Sequence, residues 1–172
     1  MMNIEMQDES QRDAMRKAKN RIDRVSGCLH LGGALTAAEY ERFLTAGITH
    51  VVDLRENDEA DTVRLSQLGI ERRHIPVPDH CAPTIEQLAE VARWLEANRE
   101  GAEVYVHCGG GFGRAPTMAI ALLLVGGSTL ANAMEQVRAV RPEIRINEEQ
   151  IRWLRLVEAQ STETSSAIAH RR

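Results

Sequence analysis

The stretch Val104-Tyr105-Val106-His107-Cys108-Gly109-Gly110-Gly111-Phe112-Gly113-Arg114-Ala115-Pro116 changes character twice within thirteen residues. Val104, Tyr105 and Val106 are β-branched or aromatic, as a central strand requires. Gly109 to Gly113 then let the backbone curl tightly, because four of these five residues carry no Cβ. Pro116 belongs in the first turn of a helix, where the backbone N–H it lacks has no partner anyway. The residues from Pro116 to Val125 are apolar on all sides, so that helix is enclosed in a core, and Gly126-Gly127 end it. Strand, glycine turn and buried helix together place this segment at the centre of an α/β sheet.

Working outward, further strands are predicted at Cys28–Leu31, His50–Leu54, Ile70–Ile75 and Glu103–His107. Thr36-Ala37-Ala38-Glu39 and Thr84-Ile85-Glu86-Gln87 read as helix-starting capping boxes. Tyr40, Phe43 and Leu44 follow the first on one face; Leu88, Val91, Ala92 and Leu95 form the buried stripe of the second. Ser128 is expected to cap a helix carrying Leu130, Ala133, Met134, Val137 and Val140, which Pro142 stops. A last helix is predicted over about Asn147 to Val157. Alternation of strands and helices implies covered sheet faces.

The chain's 172 residues suit one domain with a substantial core. Residues 1–20 are charged and predict a tail or a loosely docked helix. Residues 21–159 form the expected catalytic domain, and the polar run 160–172 predicts a disordered end. Apolar content of 43%, charged content of 27% and a net charge of −4 are ordinary for a globular protein and lack the basic excess of a nucleic-acid or membrane binder. The longest apolar run, Met118 to Val125, is too short to span a bilayer, and the N-terminus lacks a signal-type stretch. The expected address is the cytoplasm, with a monomer as the default state. Three cysteines, Cys28, Cys81 and Cys108, read as free thiols.

The chemistry centres on Cys108 and Arg114. A glycine turn entering a helix aims Gly109, Gly110, Gly111, Phe112 and Gly113 N–H groups at one point, and the helix adds its positive end. Such an environment lowers a thiol's pKa and predicts a thiolate at the floor of an anion cradle. Arg114 offers a planar fork to two phosphate oxygens, and His107 is placed to brace the loop or activate the thiol. A phosphomonoester also requires a proton for its leaving oxygen. Asp79, in the proline-stiffened loop Ile75-Pro76-Val77-Pro78-Asp79-His80-Cys81-Ala82-Pro83, is the candidate acid, with His80 as its rival. The spacing of His74, His80 and Cys81 matches no common metal-ligand pattern. Arg55 and Arg138 read as solvated charges. Cys81 and Cys28 are possible redox partners of Cys108.

The pattern His107-Cys108, five residues, Arg114 resembles the signature loop of the protein-tyrosine phosphatase superfamily. The span from about Leu29 to Val157 is similar to its atypical dual-specificity branch. Leu29-His30-Leu31-Gly32-Gly33, Val51-Val52-Asp53-Leu54, Pro76-Val77-Pro78-Asp79 and Arg141-Pro142 carry that similarity. The resemblance implies a central mixed sheet of four or five strands flanked by helices. It also implies a cysteinyl-phosphate on Cys108 and Asp79 as acid, then base, with no cofactor or metal. Asn147 and Gln150 fall where the family carries a water-positioning loop. The expected substrate is a phosphorylated protein or small phosphomonoester, with phosphotyrosine leading and phosphoserine or phosphothreonine also accepted. Ala115 departs from the family's usual Ser or Thr. Gly113-Arg114-Ala115-Pro116 is similar to a subset of glucan phosphatases, so glucan or other non-protein substrates and a phosphate-binding pseudophosphatase stand as alternatives. The turn holds no lysine of the kind phosphoinositide phosphatases carry.

Overall fold

The computed structural model describes the backbone of residues 2–169 and the side chains of residues 10–163. Strands β1 (Ile22–Ser26), β2 (Leu29–Gly33), β3 (His50–Asp53), β4 (Glu71–His74) and β5 (Val104–Cys108) form one sheet in the order β1-β2-β5-β3-β4. Four of them run parallel, and β1 closes one edge antiparallel to β2. The helices are α1 (Met2–Lys19), α2 (Glu41–Thr45), α3 (Thr62–Gln67), α4 (Ile85–Ala97), α5 (Arg114–Val125), α6 (Leu130–Val140) and α7 (Glu148–Ala169). This is the α/β architecture that the alternating pattern implies, and the mixed sheet that the family resemblance implies.

Period-two alternation splits the core between the two faces. Val52, Leu54, Val104 and Val106 join the larger cluster with α4, α5, α6 and α7. Val51 and Tyr105 turn the other way, toward Tyr40, Phe43 and Leu65. Helix α5 is buried from Arg114 to Ala121 and again at Leu124, as its uniformly apolar sequence demands. Burying a side chain of the size of Met118, Ile120 or Leu124 stabilises by about 1.5–3 kcal/mol, which anchors the helix start beneath the glycine turn. The carboxyl ends of β2, β3 and β5 meet at one rim of the sheet, where open α/β sheets bind ligands.

Several elements differ from expectation. Strand β1 and helix α3 carry weak patterns. Ile22-Asp23-Arg24-Val25-Ser26 is a half-exposed edge, and α3 is short and buries only Leu65. Helix α6 is capped by Thr129, whose hydroxyl accepts from Asn132 N at 3.3 Å, and not by Ser128. The box at Thr36 opens a single 3-10 turn, Ala37–Glu39, before α2, so Leu44 rotates outward and is exposed while Tyr40 and Phe43 stay buried. At the chain's start, α1 is helical and its Ala18 is fully buried. Residues 160–169, expected to be disordered, continue α7, since extending an existing helix costs far less than nucleating one. Thr162 there donates its hydroxyl to Glu158 O at 2.9 Å. Residues 170–172 of the expected tail lie outside the described residues. No helix among the described residues is long and apolar enough to cross a membrane.

Candidate active site

Cys108 is the last residue of β5, and Arg114 the first of α5. The intervening turn fits its place closely. Gly111 sits at φ 77°, and a Cβ there would lie 2.3 Å from Gly32 O, so conformation and space both demand glycine. Its N–H donates to Cys108 Sγ at 3.3 Å. The sulfur is buried, with an N–H donor above it and the N-terminus of a 12-residue helix beyond.

Arg114 is oriented from behind. Its Nη1 donates to Val77 O at 2.8 Å and Leu54 O at 3.4 Å, while its Nε has no hydrogen-bond partner among the described residues. The guanidinium therefore keeps its Nε–Nη2 edge for a second interaction, the edge that grips an oxyanion in two places. Asp79 Oδ1 lies 3.2 Å from Nη2. The structure thus brings Cys108, Arg114 and Asp79 to one cavity of about 350 Å³, lined also by Met15, His80, Gly109, Gly110, Phe112, Gly113, Arg145 and Gln150.

His107 contacts the start of the loop. A carbonyl can only accept, so its Nδ1–H donates to Cys108 O at 3.2 Å. Burial pushes its imidazole down to about 4, against the pull of Asp53 at 3.7 Å. The ring is neutral at pH 7, so it braces without adding positive charge. Asp53 is fully buried. Burial alone would push its carboxyl up, yet hydrogen bonds from Arg55 at 3.0 Å and Arg72 at 2.8 Å hold it well below the ordinary carboxylate range. Arg55 is therefore not the solvated charge its sequence position suggested; its side chain is 14% exposed and committed to Asp53.

Other groups escaped the sequence reading. Arg141 is fully buried, with Nε donating to Gly111 O at 2.7 Å and Nη2 to Gly110 O at 3.1 Å. By holding those carbonyls outward it turns the adjacent N–H groups inward. Its Nη1 pairs with Asp23 Oδ2 at 2.7 Å, and Arg21 joins Asp23 to Glu143. Only the Arg141-Pro142 doublet hinted at this position.

Three thiols are free. Cys28 O accepts from Val104 N at the far end of β5, four residues along the strand from Cys108. Four residues of strand are about 13 Å, beyond the ~7 Å limit on Cα separation for a disulfide. Pairing of Cys28 with Cys108 is excluded. The Thr117 hydroxyl donates to Gly113 O at 2.8 Å and is thereby engaged within its own helix.

The chain is similar to known proteins over most of its length. Residues 34–169 match the family model described as a Swiss Army Knife protein, DSP-PTPase phosphatase domain. The chain is 30% identical over 146 residues to dual specificity protein phosphatase 12 of Mus musculus, covering 82% of this chain and 42% of that protein. It is 27% identical over 133 residues to phosphatidylglycerophosphate phosphatase PTPMT2 of Arabidopsis thaliana, covering 74% of this chain and 58% of that one. The chain thus spans about half the length of these relatives. The crystal structure of Tk-PTP in the active form superposes with a TM-score of 0.74 at 31% identity, covering 81% of this chain and 97% of the other. This chain belongs to the dual-specificity branch of the protein-tyrosine phosphatase superfamily.

Proposed function

We propose that this protein hydrolyses phosphomonoesters through a cysteinyl-phosphate on Cys108, acting foremost on phosphotyrosine and also on phosphoserine and phosphothreonine of proteins. The observation that carries this reading is the convergence in one cavity of a buried sulfur, the Asp79 carboxyl and the Nε–Nη2 edge of Arg114, whose Nη2 pairs with Asp79 and whose Nε has no partner among the described residues. Arg114 and the loop N–H groups bind the phosphoryl oxygens. Cys108 Sγ then attacks phosphorus, the P–O bond to the leaving group breaks, and Asp79 gives its proton to that oxygen. Water next attacks the cysteinyl-phosphate, the S–P bond breaks, the thiolate is regenerated, and Asp79 takes the water's proton. The Nη2 atom that faces Asp79 is the one a phosphate oxygen would grip, so substrate binding releases the carboxyl from its ion pair and leaves it beside the leaving oxygen. His80, the rival acid, is 89% exposed and only 3.7 Å from the carboxylate it would replace, which supports Asp79 in the role.

A second reading has its own observation. Arg145 is exposed at the cavity rim and forms no ion pair among the described residues, and half-buried Met15 stands on the same rim. A cation and an apolar wall suit a non-protein phosphomonoester with a second anionic group, such as a lipid headgroup. Two relatives named as phosphatidylglycerophosphate phosphatases make that class worth testing. The test is kcat/KM for phosphotyrosyl, phosphoseryl and phosphothreonyl peptides beside phosphatidylglycerophosphate in mixed micelles, in wild type and Arg145→Ala. The protein reading predicts the phosphotyrosyl peptide as the best substrate and little change in Arg145→Ala. A lipid substrate at least tenfold better, lost with Arg145→Ala, would replace it.

A further inference from the structure

The acid loop is held by groups outside it. Pro78 O accepts from Cys81 N at 3.1 Å, closing a turn with Asp79 and His80 at its centre. His80 has φ 62°, a left-handed conformation that disfavours a side chain with a Cβ. Such a turn persists only where its surroundings impose it. Two donors do so here. Asn147 Nδ2 donates to His80 O at 2.7 Å, and Gln150 Nε2 donates to Cys81 O at 3.1 Å.

The other ends of the two amides are also occupied. Asn147 Oδ1 accepts from Gln150 N at 2.9 Å, and Gln150 Oε1 accepts from Asn147 N at 3.1 Å, a reciprocal cap on α7. With each carbonyl end committed to the helix, each NH2 end is turned toward the acid loop. Gln150 is 1% exposed, so its donors have no access to bulk water as an alternative.

We propose that Asn147 and Gln150 are positioning residues for catalysis: the cap of α7 doubles as a latch that holds the Pro78–Cys81 turn and fixes Asp79 over the phosphate site. The proposal rests on Asp79 being the general acid. A latch of this kind affects only the part of the rate that depends on protonating the leaving group, which distinguishes it from general support of the fold.

The test measures kcat/KM, which reports the first chemical step, for phenyl phosphate and 4-nitrophenyl phosphate. Phenoxide leaves poorly and needs the acid; nitrophenoxide needs it far less. Asp79→Asn is expected to lower the phenyl phosphate value by about a hundredfold and the nitrophenyl value by far less. Asn147→Ser keeps a good helix cap but is too short to reach His80 O. It is expected to cost about tenfold on phenyl phosphate and less than about twofold on 4-nitrophenyl phosphate. Asn147→Asp, an equally strong cap, puts an acceptor opposite His80 O and should lose at least as much. Added to Asp79→Asn, either change should cost nothing further, since the group it positions is gone. Equal losses on both substrates, no loss at all, or full additivity in the double variant would overturn the latch. Equal losses from Asp79→Asn itself would overturn the acid assignment and the latch with it.

Discussion

The phosphate cradle and the acid loop face each other across one cavity but are built by opposite means. The cradle is held from within the core: β5 fixes buried Cys108, Arg141 holds two loop carbonyls, and α5 is buried from Arg114 to Ala121. The acid loop lies at the surface, with Asp79 66% exposed, and depends on two amides from α7's cap for its shape. The proposed nucleophile is fixed with the fold, whereas the proposed acid sits on a surface loop held by contacts from one helix cap. Lesions in the cradle should therefore cost activity and stability together, and lesions in the latch should cost activity alone.

The largest effect expected is from Cys108→Ser. Turnover should fall by at least about a thousandfold, because the nucleophile is lost while N–H groups and Arg114 remain. Binding of vanadate or tungstate, followed by calorimetry, should persist. Residual activity near a tenth of wild type would break the assignment of this sulfur.

Next comes Arg141→Lys. Lysine keeps the charge beside Asp23 but cannot reach both loop carbonyls, and two hydrogen bonds to a charged group are lost. Urea unfolding should show a stability loss of about 3 kcal/mol. Asn147→Ser, with its helix cap retained, should lose less than about 1 kcal/mol. Similar losses for the two would erase the contrast between cradle and loop.

His107 gives that contrast a pH signature. An unfolded histidine titrates near 6.5, whereas the buried ring of His107 has been pushed down to about 4. Between these values the unfolded chain binds a proton that the folded chain refuses. Stability is thus full above pH 6.5 and falls as pH drops toward about 4, by about 3 kcal/mol in all. Asp53, held below the carboxylate range, prolongs the loss at still lower pH as its unfolded counterpart protonates first. Unfolding curves at pH 7.5 and 4.5 check this, and His107→Gln should flatten the upper part of the slope.

The smallest effect concerns Ala115. The Thr117 hydroxyl is committed to Gly113 O, so Gly111 N–H is the donor the sulfur has as it leaves phosphorus. Ala115→Ser should speed hydrolysis of the cysteinyl-phosphate by about two- to tenfold. An unchanged kcat would show that this backbone donor suffices.

The same contrast explains what the sequence disclosed. The cradle is contiguous, and Cys108, its glycines and Arg114 carry their geometry in their order, so strand, turn and helix were legible together. Its supports were not. Arg141 meets the loop 30 residues away in the chain, and Asp23 meets Arg141 118 residues away. Arg55 looked solvated because nothing local reveals that Asp53 is buried beside it. Asp79 stood out as a candidate acid because prolines stiffen its loop. The strained turn at His80, and the amides that hold it, depend on α7 packing against a loop some 67 residues upstream. Strand β1 was missed for a related reason: a half-exposed edge has no hydrophobic run to announce it, and only pairing with β2 defines it.

The central claim is covalent phosphoryl transfer to Cys108, and rapid-quench kinetics with 4-nitrophenyl phosphate test it most directly. The account predicts a stoichiometric burst of nitrophenolate before the steady state, with acid-quenched peptide maps carrying phosphate on the Cys108 peptide. Linear release from the first turnover, together with a Cys108 peptide that never carries phosphate, would contradict it.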